Sequence, residues 1–322
     1  MKKKIVAIIS YIILIIIMSV LVMMFGNSNS QGEKNEKKII VATLFPEYDF
    51  AKQIVKEKMD VKLLVKSGVE THNYEPTAKD MIMILDNSDA FLYTGEELEP
   101  WTSNIIKNLE ETSKKAINTS ENVELIKIEE FEEKHINKEI AYDKKEHEDE
   151  EIYDEHIWLS MDNALKMIDT ILKEIITIDP TNKAYYEKNA KEYKTEIVKL
   201  KEDYSKLIAN SNRKEIAVGG EFAYAYLVEE LGLNFVSVYD NCGEGEDPSL
   251  ARIKSVIDYI NNNNIPVIYY EELSEGTVAK MISEETDAES LVLYSVHNAD
   301  IEKDTYVSLM KENYKNLEKG LK

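Results

Sequence analysis

The chain has 322 residues, 39 Lys and Arg against 61 Asp and Glu, a formal charge of −22, five His and one Cys. A charge this negative repels phosphate backbones, which argues against nucleic acid as a partner and in favour of cations. The single cysteine, Cys242, permits neither an intrachain disulfide nor a thiolate zinc cluster, so any metal site has to be built from His and carboxylates.

Lys2, Lys3 and Lys4 precede an apolar run over residues 5–25, and the chain turns polar at Gly26. Positive charge ahead of a hydrophobic stretch is an export signal that keeps the N-terminus inside and delivers the rest to the outer face. The run is longer than a usual signal core of about 7–15 residues and close to the ~20 that span a bilayer, so a retained membrane anchor is favoured over a cleaved signal peptide. No Cys follows it, which rules out a lipid carried on an N-terminal cysteine. Residues 26–37, rich in Asn, Ser, Gln, Gly, Glu and Lys, read as a flexible tether, completing an N-terminal segment over 1–37.

From Lys38, short β-branched runs alternate with helix-period segments. Strands are expected at 38–44, 61–65, 90–95 and 123–128, with helices near 49–58, from Thr77 and from Pro100. Residues 129–156 then hold thirteen Asp and Glu, four Lys, His135 and His147, a net of −9 before His is counted. No strand or helix period is visible there. The insert (129–155 ahead of His156) reads equally as a solvated loop or as a weak metal scavenger whose carboxylates raise the local cation concentration.

A stretch without breakers runs from Pro180 to Asn210, with Asp179 placed as N-cap and Pro180 at the first helical position. Thirty-one residues make a rod of roughly 45 Å. The βα rhythm then resumes, with strands at 215–220, 234–239, 266–272 and 290–295 and helices ending at Leu231, starting at Ser249 and Thr277, and closing the chain from Asp304. The fold class expected is α/β: two lobes, each a parallel sheet flanked by helices, over 38–178 and 212–322, joined by one long rigid helix over 179–211.

Two histidine motifs carry the chemistry. His72 lies in the loop SGVETHNYEPT that follows the second strand, and ligands of open parallel sheets collect at that carboxyl edge. His156 lies in DEHIWLS, just past the acidic run. A neutral imidazole in a loop offers a lone pair to a metal at physiological pH.

Segments 68–101 (GVETHNYEPTAKDMIMILDNSDAFLYTGEELEPW) and 154–164 (DEHIWLSMDNA) resemble the two histidine motifs of the zinc- and manganese-binding receptor subunits of ABC importers. Segment 177–193 (TIDPTNKAYYEKNAKEY) looks like the start of that family's interlobe helix, and 306–321 (YVSLMKENYKNLEKGL) fits its C-terminus. The resemblance covers residue 38 to the end. It implies a bilobal, monomeric receptor on the extracytoplasmic face of the membrane, which holds one divalent metal between rigidly connected lobes and delivers it to a permease. His72 and His156 are then the ligands of the first lobe.

The second lobe offers more candidates than a tetrahedral site needs. Glu221, in GGEFAY, occupies the position of the family's third ligand, and its other reading is a carboxylate in a helix N-terminal turn. Asp304 matches the fourth by spacing, and its other reading is the N-cap of the last helix. His297, in YSVHN, departs from the commonest family pattern but points from a strand's carboxyl edge into the same crevice. Cys242 reads as a buried or idle thiol rather than a ligand. Three His and one carboxylate lean towards Zn2+, whereas two of each also serve Mn2+, so the choice between His297 and Asp304 bears on the metal.

Two other classes compete. A secreted metallohydrolase would use the same side chains, but HExxH, GxSxG and glycine-rich phosphate loops are absent from the sequence. A surface adhesin would have no need of tightly held metal.

Overall fold

The computed structural model describes residues 15–19, 37–69, 74–96, 98–137, 152–239 and 248–322. His72, His147 and Cys242 lie outside them. The chain divides into two units, 1–38 and 39–322. In the first, residues 15–19 are helical, and among the described residues no helix is long and apolar enough to cross a membrane.

The second unit opens with β1 (Ile39–Ala42), α1 (Phe45–Val55), β2 (Asp60–Leu63), α2 (Ala78–Leu85), β3 (Ala90–Tyr93), α3 (Ser103–Glu110) and β4 (Lys115–Asn118). The strands are parallel in the order β2-β1-β3-β4. Continuous apolar runs such as IIVA and AFLY, buried on both faces, suit a sheet covered by helices. After α4 (Ile128–His135), α5 (Met161–Ile178) and the long α6 (Lys183–Asn210), the same plan repeats. It consists of β5 (Glu215–Val218), α7 (Ala225–Leu231), β6 (Asn234–Ser237), α8 (Leu250–Asn263), β7 (Val267–Tyr270), α9 (Thr277–Glu284), β8 (Glu289–Val292) and α10 (Tyr306–Leu321). Its order is β6-β5-β7-β8, again all parallel. The expected α/β class with two parallel sheets and a long connecting helix is therefore what the chain forms.

Four expectations need correction. The strand expected at 123–128 does not form; the fourth slot goes to Lys115–Asn118, paired from Ala90↔Lys115 to Tyr93↔Asn118. Only Ile117 of that strand is fully buried, too little for a period-two signal, whereas 123–128 lie half-buried and contribute one antiparallel bridge, Lys127↔Tyr153. The insert is not devoid of order either. Helix α4 places Phe131 and His135 on one buried face, four residues apart. Phe131 stacks on Phe235 at 5.5 Å and packs on Phe222 at 5.9 Å, so a contact distant in sequence folds a segment whose composition is that of a loop.

The long helix starts later than expected. Pro180–Asn182 form a 3-10 turn, and α6 runs over 28 residues, about 42 Å. Asp179 does not cap it but accepts from the Tyr186 hydroxyl (2.7 Å) and the Asn182 amide (2.6 Å). Asp304 does not cap the last helix. Thr305 does, reciprocally with Ser308.

The two sheets share one core. A single apolar cluster runs from Ile40 and Phe50 through Trp158 and Tyr204 to Val218, Tyr306 and Leu317. At its centre Asp49, buried on α1, accepts from the Tyr193 hydroxyl of α6 and from the backbone N–H of Tyr306 that opens α10. Helix α4 ties the halves a second time: Asn137 N–H donates to the Phe235 carbonyl (3.0 Å), and the His135 ring lies 2.7 Å from the Leu233 carbonyl and 2.6 Å from Glu229. A buried seam of this kind opposes wide opening of the halves.

Candidate metal centre

All eight strands deliver their carboxyl ends to loops, and in each sheet the strand order reverses beside the first strand, at β1/β3 and at β5/β7. Such switch points leave a crevice for a ligand. His156 stands immediately ahead of the 3-10 turn Ile157–Leu159 that precedes α5. Its ring is 1% exposed; Asp154, itself buried, accepts from its backbone N–H (2.9 Å) and lies 3.4 Å from Nδ1. Trp158, fully buried, donates its indole N–H to the Ser295 carbonyl (2.8 Å), which fixes the first-half loop against the loop after β8.

His297 sits in that second loop, 6% exposed, with its ring centroid 5.8 Å from that of His156. Two imidazoles bound at about 2.0–2.1 Å to one tetrahedral ion have centroids roughly 5–6 Å apart, so the pair is spaced for a shared metal. The backbone around His297 is unusual. Val296 has φ +64°, a left-handed conformation that a β-branched residue rarely adopts. Glu272, just beyond β7, accepts from Ser295 N–H (2.8 Å), Val296 N–H (3.2 Å) and the Ser295 hydroxyl (2.9 Å).

Asn298 reaches across to the first half. Its side-chain oxygen accepts from Gly68 N–H (2.7 Å), and its amide donates to the carbonyls of Val69 (3.1 Å) and Lys66 (3.4 Å), in the loop that leads to His72. A second bond from that loop joins Ser67 to the Ala299 carbonyl. Replacing Asn298 by Ala removes three bonds from this contact. The expected result is a zinc dissociation rate at least tenfold faster in stopped-flow competition with a chelator, since even 1.4 kcal/mol from three bonds suffices.

Glu221 is half-buried in the segment between β5 and α7. It lies four residues ahead of α7, not in its first turn, so the helix-dipole reading does not apply. Gly219 before it is required by close approach, since a Cβ there would fall 2.9 Å from the Ala279 backbone. Asp304 closes a turn of its own, accepting from Asp300 N–H (3.0 Å) and donating its N–H to the Asp300 carbonyl (2.8 Å). Among the described residues, no three His, Cys, Asp or Glu side chains are grouped closely enough to hold an ion. The structure thus brings the His156 and His297 rings together, while Glu221 stands half-buried in the β5–α7 segment and the Asp304 carboxylate is engaged with Asp300.

Two buried carboxylates in the first half were passed over by sequence reasoning. Glu47, in the first turn of α1, accepts from Thr94 (2.6 Å) and Thr119 hydroxyls and from Leu44 N–H. Glu99 accepts from the Thr43 hydroxyl and from Thr94 N–H. Burial pushes Glu47 up to about 7; burial and then the Glu47 charge push Glu99 up to about 8. Asp154, Trp158, Glu272 and Asn298 were also missed as supports; Asp154 and Trp158 stand in the DEHIWLS motif and Asn298 beside His297, whereas Glu272 carried no local signal.

The model of a zinc-uptake complex component A, described as periplasmic, matches residues 40–320. The high-affinity zinc uptake system protein ZnuA of Bacillus subtilis is 34% identical over 309 residues, 94% of each chain. The zinc-binding lipoprotein AdcA of Streptococcus pneumoniae is 30% identical over 294 residues, 90% of this chain but 57% of AdcA, so the chain spans little more than half of that relative. Among solved structures, the metal-dependent lipoprotein YcdH from Bacillus subtilis superposes with a TM-score of 0.73 at 32% identity, covering 88% of this chain and 99% of YcdH. The Zn(II)-bound ZnuA-like domain of Streptococcus pneumoniae AdcA gives 0.72 at 28% identity, covering 88% and 99%.

Proposed function

The chain belongs to the periplasmic zinc-uptake component A family, and we propose that it captures Zn2+ at the crevice between its two sheets through His72, His156, Glu221 and His297. Its role is that of an extracytoplasmic receptor for an ABC importer, which hands a divalent metal to a membrane permease. The family is one of receptors, and the chain acts by binding and release.

The observation that carries the ligand set is the 5.8 Å spacing of the His156 and His297 rings. His72 is included for its motif and for the loop leading to it, which Asn298 holds. His297 is preferred to Asp304 because the Asp304 carboxylate already closes the 300–304 turn. Three imidazoles with one carboxylate suit tetrahedral zinc, and Mn2+ is the alternative.

Titration calorimetry and native mass spectrometry with both metals test the proposal. One tightly held zinc per chain with manganese bound more weakly supports it, tighter manganese binding reassigns the cargo, and no binding of either refutes the receptor.

The apolar run over 5–25 is assigned as the tether that holds a monomeric receptor at the outer membrane face, with lobes over 38–178 and 212–322 and the connecting helix over 179–211. Metal scavenging by the acidic insert concerns 138–151, outside the described residues; His135 is engaged with Leu233 and Glu229 and takes no part in it.

A further inference from the structure

We propose that Glu272 is a positioning residue for His297, acting through Ser295 to set which ring nitrogen carries the proton and so which one faces the metal. The inference rests on His297 being a ligand, as proposed above.

Each oxygen of the Glu272 carboxylate already faces a backbone donor, Ser295 N–H on one and Val296 N–H on the other. The Ser295 hydroxyl lies 2.9 Å from the second of these oxygens, and a carboxylate so engaged can only accept from it. Ser295 has one proton, and it is committed to Glu272. The same hydroxyl oxygen lies 2.8 Å from Nδ1 of His297, so in that contact the ring must be the donor. His297 therefore carries its proton on Nδ1, and Nε2 presents the lone pair. A chain of carboxylate, hydroxyl and imidazole is the outer-shell arrangement that orients metal-bound histidines elsewhere, here with a serine interposed.

The backbone supports the same assignment. Val296 pays a conformational penalty of order 1–3 kcal/mol for φ +64°, and such strain persists only where surrounding contacts over-determine it. Glu272 supplies two of those contacts, the bonds from the N–H groups of Ser295 and Val296. The left-handed residue turns the chain immediately before His297. Glu272 thus fixes both where the ring is and which of its nitrogens is a base. Ser295 and Val296 are fully buried, His297 is 6% exposed and Glu272 is half-buried, so little of the chain is open to water.

The test reads the tautomer directly. In zinc-free protein labelled with 15N-histidine, long-range proton–nitrogen correlation should show His297 protonated on Nδ1, the resonances being assigned by their loss in His297→Gln. Ser295→Ala and Glu272→Gln should shift the ring towards the Nε2-protonated form and weaken zinc binding by about 10–100-fold, the usual range for removing an outer-shell partner. Ser295→Thr, which keeps the hydroxyl, should retain the Nδ1 form. A wild-type ring protonated on Nε2 overturns the proposal, as does a folded Ser295→Ala protein that binds zinc within twofold of wild type. If the variants fail to fold, the wild-type tautomer still decides the matter. If wild-type protein binds no zinc, the receptor reading fails, while the tautomer of the zinc-free protein still supports or overturns the relay on its own.

Discussion

Replacing His156 by alanine removes tight zinc binding, with a loss of more than about 100-fold, the upper range for losing a mere outer-shell partner. The ring is almost wholly buried, lies beside Asp154 and sits 5.8 Å from the His297 ring, so its loss removes one of the two imidazoles the structure brings together. The fold should survive. Trp158 remains bonded to Ser295, and Asp49 continues to join α1, α6 and α10, because neither contact uses the imidazole.

Calorimetry measures the affinity, and thermal melts with and without zinc measure the consequence. A ligand at a thousand times its Kd stabilises the wild type by about 4 kcal/mol, and that zinc-dependent rise in Tm should vanish in the variant. His297→Ala should behave alike. Asp304→Ala should leave zinc affinity within about threefold and act only on the 300–304 turn, where its carboxylate receives Asp300 N–H. Wild-type affinity in His156→Ala would remove the site from this crevice, and loss of binding in Asp304→Ala would return that residue to the ligand set.

What could be read in the sequence follows a physical division. Strands β1, β3, β5 and β7 announce themselves because a strand buried on both faces is a continuous apolar run. Strand β4 does not, since Lys115–Asn118 is an edge segment with only Ile117 fully buried. Helix α4 was illegible because its apolar face consists of Phe131 and a histidine, and what stabilises it, Phe222 and Phe235, lies about ninety to a hundred residues away.

The same holds at the site. His72 and His297 could be found because loop position at a strand's carboxyl edge is a local property, and His156 because its motif DEHIWLS is local too. Their supports could not. Glu272 meets Ser295 23 residues later, and Asn298 meets Gly68 at a separation of 230. Asp304 shows the same limit: its spacing fits a ligand, and only the folded turn shows that its carboxylate accepts from Asp300 N–H.

Glu99→Gln should melt higher than wild type at pH 8, by about 5 °C, and show little or no gain at pH 5. Glu47 and Glu99 are both fully buried and share Thr94, which donates its hydroxyl to the first and its N–H to the second. Two carboxylates in one dry site cannot both ionise cheaply, so one proton is retained well above the usual carboxylate range. Glu99, raised further by the Glu47 charge and by Glu155, is the better holder of that proton. Both groups are raised relative to an unfolded carboxylate near 4.5, so above that pH the folded protein binds more protons than the unfolded chain. The stability they confer is therefore complete below about pH 4.5 and declines as the pH rises through about 7 to 8. A glutamine at 99 carries no charge at any pH. Both described bonds to Glu99 end on the same oxygen, so the glutamine carbonyl can accept from Thr43 and Thr94 in its place. Melting curves of zinc-free protein across pH 5 to 8 check this: the two profiles should diverge with rising pH, and parallel profiles would show that the pair does not hold a proton.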